Sequence, residues 1–209
     1  MSTTDPIRDQ KQLRKLTEYF LNRKQYRNYV LIVLGTCTAL RISDLLNLRW
    51  EDVFDFQTKK YRSHIELTEK KTHKRKRIPI TSDIREALKL YFPHRQGNFI
   101  FCNGRKDEKP IGRVQAWRII HHAAKEVGID GNIACHSLRK TFGYFAWKFQ
   151  KTPSALLMEI YNHSAETITK HYLGIAQDDI DRVYKNNNFK FRSFISGTKI
   201  QKRYLSSKT

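Results

Sequence analysis

Four short stretches of this sequence hold side chains whose types and spacing suit chemistry on a phosphate group. The first is ALRISDLLNLRW, where Arg41 stands among apolar residues that are expected to be buried. A charged side chain that enters a core needs a strong partner, and a guanidinium can bind two oxygens of one phosphate. For this segment alone, a buried ion pair with Asp44 or Glu51 is the better interpretation.

The second stretch is a run of cations between two strand-like segments. Most of them are best interpreted as a solvated basic turn that binds phosphates without specificity. A flexible amine at the tip of a hairpin can, in addition, donate a proton to a leaving oxygen. The basic side chains of this stretch are Lys70, Lys71, His73, Lys74, Arg75, Lys76 and Arg77.

The third and fourth stretches are HSLRKTF and YNHSAETITKHYLGI. His136 and Arg139 are three residues apart, so on a helix they share a face, as a site for developing negative charge requires. His163 is followed by Tyr172, whose hydroxyl becomes a nucleophile only where cations and donors stabilise the phenolate. The ordinary alternatives are a surface pair on a basic helix and a core tyrosine near a helix end.

The hydrophobic periodicity predicts a mainly α fold with a small antiparallel β-sheet, which positions these stretches. YRSHIEL and KRIPI predict a β-hairpin, and NFIF predicts another short strand. Because no linker rich in Gly, Pro or Ser interrupts the chain, we expect one domain over residues 1–185 and a basic tail over residues 186–209. Helical patterns cover residues 7–23, 26–38, 41–48, 83–91, 112–127 and 136–149, then a helix that begins at Thr152–Pro153 and one that begins at Ser164–Glu166 and ends near Tyr172.

The amino-acid composition indicates which class of partner this protein binds. The chain has 40 Lys and Arg against 20 Asp and Glu, a formal net charge of +20. Such an excess favours nucleic acid as the partner, with a generic basic protein as the alternative. The N-terminus MSTTDPIRDQ has no apolar signal core, and the longest apolar run is too short to span a bilayer. Cys37, Cys102 and Cys135 fit no zinc or redox spacing and are interpreted as buried thiols in a reducing cytoplasm.

Taken in this order, the four stretches resemble the catalytic domain of the tyrosine recombinases, also called phage-type integrases, over roughly residues 10–180. The resemblance implies the fold of these DNA breaking-rejoining enzymes. Lys71 is chosen by its distance to Pro79, with Lys70 and Lys74 as alternatives. The catalytic residues that it implies are Arg41, Lys71, His136, Arg139, His163 and Tyr172, and the expected DNA contacts are Lys70, Lys74, Arg75, Arg77 and Lys140.

The implied activity is site-specific recombination of DNA through a 3′-phosphotyrosine at Tyr172, with no metal ion or other cofactor. The implied partners are double-stranded DNA, a homotetramer on paired sites and accessory DNA-bending proteins, in the cytoplasm and at the nucleoid. Two alternatives remain: strand relaxation like that of a type IB topoisomerase, and a DNA-binding regulator that has lost catalysis.

The sequence departs from the family pattern in two ways. Tyr161 and Asn162 stand where the family has leucine and glycine, although asparagine tolerates a left-handed backbone. A chain of this length also leaves no room beside the catalytic domain for the usual N-terminal clamp of about a hundred residues. In this respect it is similar to short members such as the fimbrial phase-switch invertases.

Overall fold

The computed structural model describes residues 4–106, 108–173 and 184–186. The chain divides into two compact units, Met1–Gly174 and Ile175–Thr209. In the second unit only a helical turn at residues 184–186 is described. The predicted basic tail therefore lies almost wholly outside the described residues, and its role stays a prediction.

The predicted fold class, mainly helical with small antiparallel sheets, is confirmed. The two sheets have two strands each and pair β1 with β2 and β3 with β4. Short 3₁₀ turns at Trp50–Asp52 and Phe92–His94 link the elements. The helices are α1 (Gln10–Asn22), α2 (Tyr26–Cys37), α3 (Ile42–Leu46), α4 (Ser82–Tyr91), α5 (Arg113–Glu126), α6 (Cys135–Lys148), α7 (Ser154–Tyr161) and α8 (Glu166–Leu173), and the strands are β1 (Phe54–Asp55), β2 (Lys60–Tyr61), β3 (His64–Thr68) and β4 (Arg75–Pro79).

Helix α2 is the centre of the core, because α1, α4 and α6 all pack against it. Its residues from Val30 to Gly35 are buried without interruption, so this segment has no solvent face. At Gly35 the packing against α6 is so close that a Cβ atom would lie 2.5 Å from Leu138 Cδ1. The glycine thus brings α2 and the loop that follows it close to α6.

Side-chain caps begin two of the helices, at Asp9 and at Thr81. The Asp9 carboxylate accepts a hydrogen bond from Lys11 N, and the Thr81 hydroxyl accepts one from Ile84 N. Thr152 was predicted to be the N-cap of α7, but the N-cap lies one residue later. Helix α7 begins after Pro153, which offers no side-chain cap, while the Thr152 amide donates to Ala146 O.

The predicted hairpin is confirmed, with His64 paired to Pro79 and Thr68 paired to Arg75. The second, smaller hairpin of β1 and β2 was not predicted, because strands of two residues leave no alternation to detect. The strand predicted at NFIF is wrong: the only pairing there is an isolated bridge between Phe99 and Arg49. None of the described helices is long and apolar enough to cross a membrane.

Candidate active site

A left-handed turn directs Arg41 toward the site. Ala39 has φ of 53°, a conformation that costs a residue with a Cβ atom about 1 kcal/mol or more. Arg41 then becomes the N-cap residue of α3 and keeps 17% of its side chain exposed. Its predicted alternative partners are not used. Asp44 accepts a hydrogen bond from the Lys70 amide, and Glu51 lies 3.6 Å from Arg49.

Arg139 enters the same place from α6, and only 3% of its side chain is exposed. One of its guanidinium nitrogens donates to Ala39 O, and Nη2 donates to Tyr161 O at 3.1 Å. Arg41 Nη2 lies 3.5 Å from the same Tyr161 carbonyl. The two predicted arginines, almost a hundred positions apart in sequence, therefore share an acceptor.

A carboxylate that the sequence analysis did not identify lies between these cations. Glu69 follows β3 and has no exposed side-chain surface. Its Oε2 atom is 2.7 Å from Arg41 Nη1, and its Oε1 atom is 3.6 Å from Lys76 Nζ and 3.9 Å from Arg139 Nη1. Thr72 Oγ1 and Asn162 Nδ2 each donate to Oε2 at 2.7 Å.

The ionisation of this cluster follows from its contacts. Burial would raise the pKa of Glu69, but the Thr72 hydrogen bond and the charges of Lys76 and Arg41 outweigh it and hold the pKa at about 2. Burial and the nearby Arg139 charge lower the pKa of Lys76 to about 8, although Glu69 opposes that change. Glu69 is therefore an anion at neutral pH and Lys76 is largely a cation.

The unusual Tyr161–Asn162 pair forms the end of α7. Asn162 is left-handed, with φ of 54° and ψ of 45°, which is the conformation expected for a residue that replaces glycine there. Its backbone N–H donates to Glu159 O, and its side chain reaches Glu69. The Tyr161 hydroxyl donates to Arg139 O at 2.8 Å, so this tyrosine is a structural member of the site.

Tyr172 lies in α8 beside these groups. Its ring centroid is 5.0 Å from that of Tyr161 and 5.2 Å from that of His163. The hydroxyl oxygen is buried and has no hydrogen bond of good geometry within the described part of the chain. Burial raises its pKa, and the charge and hydrogen-bonding contact of Arg139, with the charge of Arg41, counteract this only in part. The phenol is thus neutral, next to the cations that can stabilise its anion.

Both predicted histidines have lowered pKa values. Burial is the main cause for each, followed for His163 by the charge of Arg139 and for His136 by that of Arg113. The two rings are therefore neutral at neutral pH. His163 Nδ1 lies 3.0 Å from Thr169 Oγ1, while His136 borders a cavity of about 390 Å³ that Trp117 also lines.

The predicted residues of the hairpin do not gather with this cluster, whereas Lys140 borders it. The turn between β3 and β4 carries Lys71, whose side chain is exposed, and Lys76 of β4 is the lysine that reaches the arginines. Lys140 is buried instead of exposed, with Nζ donating to Thr4 O and lying 5.5 Å from the Tyr172 ring centroid. The remaining predicted DNA contacts, all exposed along the hairpin, are Lys70, Lys74, Arg75 and Arg77.

Sequence alternation could have revealed Lys76. In β4 the buried residue is Ile78, and residues two apart in a strand share a face, so Lys76 must point the same way. Glu69 offered a weaker signal, as a single acid in a basic run. Over the residues that the structure describes, no group of three or more His, Cys, Asp or Glu side chains could hold a metal ion.

The composition of this site suits phosphoryl transfer to a tyrosine. On a mainly helical frame it contains two guanidiniums, an ammonium, two neutral imidazoles and a buried phenol. The family model described as "Phage integrase family" matches residues 8–178. The Bacillus subtilis protein named "Probable integrase/recombinase YoeC" is 36% identical over 186 residues, which are 88% of this chain and 97% of YoeC. The chain belongs to the phage integrase family, the tyrosine-type site-specific recombinases.

More distant relatives are also named recombinases. Tyrosine recombinase XerD of Corynebacterium glutamicum is 24% identical over 76% of this chain and 52% of its own length. The crystal structure of XerA recombinase superposes with a TM-score of 0.68 at 19% identity, covering 89% of this chain and 65% of XerA. This chain thus spans about half of XerD and nearly all of YoeC. The names of these relatives, integrase and recombinase, favour site-specific recombination over the two alternatives, a type IB topoisomerase and a DNA-binding regulator without catalysis.

Proposed function

We propose that this protein cleaves and rejoins DNA through a covalent bond between Tyr172 and a 3′ phosphate. The observation that carries the proposal is the convergence of Arg41, Arg139, His163 and Tyr172 from separate parts of the chain around one buried hydroxyl. Each of these residues was predicted from sequence motifs alone. Their side chains meet because α3 and α6 pack against α2, and α8 packs against α6.

The guanidiniums of Arg41 and Arg139 bind the non-bridging oxygens of the scissile phosphate and offset the charge that grows in the transition state. The Tyr172 oxygen attacks phosphorus and forms the new P–O bond, while the bond to the 5′ oxygen breaks. His136, held neutral by its lowered pKa, accepts the phenol proton. His163 adds a hydrogen bond to the phosphate.

Lys71 supplies the proton that the departing 5′ oxygen takes up. Its exposed position at the end of the β3–β4 hairpin suits this role, because the hairpin can approach a groove while the arginines bind the backbone. The free 5′ hydroxyl of a second strand then attacks the phosphotyrosine and restores a phosphodiester. The chemistry conserves the bond energy, so neither ATP nor another cofactor takes part.

The partner is double-stranded DNA, bound through the exposed cations of the hairpin and the net charge of +20. DNA complexes among the fold neighbours support this, including XerH bound to a palindromic difH substrate in a post-cleavage complex, which has a TM-score of 0.68 at 18% identity and covers 88% of this chain and 53% of XerH. Strand exchange between two sites requires four protomers, assisted by DNA-bending proteins, at the nucleoid in the cytoplasm. The basic tail is the segment proposed to contact a neighbouring protomer.

The first experiment is to map covalent attachment on genomic DNA, and then to build a nicked duplex from the mapped site. A nick traps the intermediate because the short 5′ fragment diffuses away. We expect an adduct that resists detergent and forms equally well with EDTA. Tyr172→Phe must abolish the adduct while DNA affinity stays within about twofold, whereas Tyr184→Phe, at an exposed tyrosine, serves as the matched control. An adduct in Tyr172→Phe, or one that requires magnesium, contradicts the proposal.

A plasmid assay separates recombination from simple relaxation. A supercoiled plasmid that carries two mapped sites should yield recombinant circles whose formation depends on both sites. Relaxation of a one-site plasmid at the same rate, without recombinants, would instead support the topoisomerase alternative.

A further inference from the structure

The buried carboxylate of Glu69 is the feature of the site that the proposed reaction does not use. It follows β3 and contacts groups from five other segments: the loop before α3, the hairpin turn, β4, α6 and the end of α7. A fully buried charge is costly unless it is paired and hydrogen-bonded. Such a residue at the meeting point of the two arginines requires an explanation.

The first reason for a buried carboxylate at Glu69 is the balance of charge in the site. Arg41, Lys76 and Arg139 are three cations whose side chains are largely buried, each within 4 Å of the Glu69 carboxylate. Without an anion they repel, and each would turn toward water. The single carboxylate of Glu69 leaves a surplus of two positive charges. A phosphodiester under attack by a phenolate carries two negative charges, so the surplus matches the transition state and not the ground state.

The second reason is geometry. Arg41 and Arg139 share one hydrogen-bond acceptor, the Tyr161 carbonyl, and both form ion pairs with the Glu69 carboxylate, at 2.7 Å and 3.9 Å. A shared acceptor and a shared counter-ion restrict the separation between the guanidiniums before any DNA arrives. Preorganisation of this kind lowers the barrier because no reorientation is needed during the reaction.

The third reason is the contact between Glu69 and Asn162. Its Nδ2 atom donates to Glu69 Oε2 at 2.7 Å, and its left-handed backbone is the reason why the amide can point there. The departure from the family pattern at residues 161–162 thus has a partner at Glu69. A glycine at this position would keep the turn and remove the contact.

We propose that Glu69, held by Asn162, is a positioning residue that sets the spacing and the charge of the Arg41–Arg139 pair for phosphate cleavage. The proposal rests on the proposed function, since it concerns the same reaction. It differs from a purely structural role in one respect. Loss of the carboxylate should slow the chemical step without weakening DNA binding, because the positive charge of the site increases.

The test is single-turnover cleavage of the nicked duplex from the mapped site by Glu69→Gln, Asn162→Gly and the double variant. We expect Glu69→Gln to cleave at least about tenfold more slowly, equivalent to about 1.4 kcal/mol in the barrier, with a Kd unchanged or lower. Asn162→Gly should slow cleavage less, and the double variant should be no slower than Glu69→Gln. Glu66→Gln, an exposed glutamate in β3, is the matched control and should cleave like the unmodified protein.

A second readout needs no DNA. Because Glu69 raises the pKa of Lys76, Glu69→Gln should lower the Lys76 pKa below its present value of about 8, as followed by NMR of the lysine side chain, and Glu66→Gln should not. Cleavage by Glu69→Gln at the unmodified rate overturns the inference, as does a loss of DNA affinity that accounts for the loss of rate. If Glu69→Gln does not fold, Asn162→Gly at the unmodified rate overturns it. Failure of the unmodified protein to form an adduct would refute the proposed function instead, and the Lys76 titration would still test Glu69.

Discussion

Two neighbouring tyrosines differ in how well the hydroxyl is hydrogen-bonded, and this difference predicts opposite effects on stability. The Tyr161 hydroxyl donates to Arg139 O at 2.8 Å, whereas the buried Tyr172 hydroxyl has only a contact with Arg139 that falls short of good hydrogen-bond geometry in the described chain. An unsatisfied buried hydroxyl costs about 1–3 kcal/mol, and a satisfied one contributes about 1 kcal/mol. Tyr172→Phe should therefore raise the free energy of unfolding by about 1 kcal/mol, and Tyr161→Phe should lower it by about the same amount.

The assay is urea unfolding of both variants, with thermal melting as a second measure. A difference of about 2 kcal/mol corresponds to melting temperatures about 4–8 °C apart for a domain of this size. Tyr172→Phe should at the same time form no covalent adduct, so that stability and activity change in opposite directions. Equal destabilisation by the two variants would refute the reasoning, because it would mean that the Tyr172 hydroxyl is already satisfied.

Three further outcomes follow from the structure. Gly35→Ala should lower the free energy of unfolding by about 1–3 kcal/mol in urea titrations, because the new Cβ atom would lie 2.5 Å from Leu138 Cδ1. The pKa of Glu69 is lowered from 4.5 to about 2, so its contribution to stability is complete above pH 4.5 and is lost as the pH falls toward 2. Acid titration should therefore destabilise the unmodified protein more than Glu69→Gln over that range. Lys74→Ala and Arg75→Ala should each reduce the slope of log affinity for DNA against log salt by about one, whatever the DNA sequence.

Much of the frame could be predicted because its elements follow simple periodicities. Helices such as α1 and α4 alternate buried and exposed residues at helical spacing, and β3 and β4 alternate at spacing two. Capping side chains such as Thr81 fixed some helix starts. The errors have physical causes as well. NFIF is apolar enough for a strand, yet Ile100 and Phe101 are buried in a turn, and a short apolar run cannot distinguish these outcomes.

Site residues that stand in a sequence motif could be predicted, whereas residues that act only through a partner could not. Arg41, Arg139 and Tyr172 stand in recognisable motifs, so their types and order were sufficient. Glu69 has no motif of its own, and its role depends on burial and on three cations that the fold brings to it. For the same reason Asn162 could be noticed only as a departure from a pattern. A contact between a hairpin and the end of a distant helix leaves no trace in local sequence.

Two of the hairpin lysines, Lys71 and Lys76, show how one segment can serve two functions. Lys76 points inward with Ile78, donates to Ile160 O at 2.7 Å and has only 13% of its side chain exposed. An ammonium held in this way can balance charge, but it cannot leave to follow a moving oxygen. Lys71, in the turn, has no such restraint and can reach DNA once the backbone is bound. In the proposed reaction the strand therefore supplies a fixed charge and the turn a movable proton donor, because the alternation of the strand points Lys76 inward.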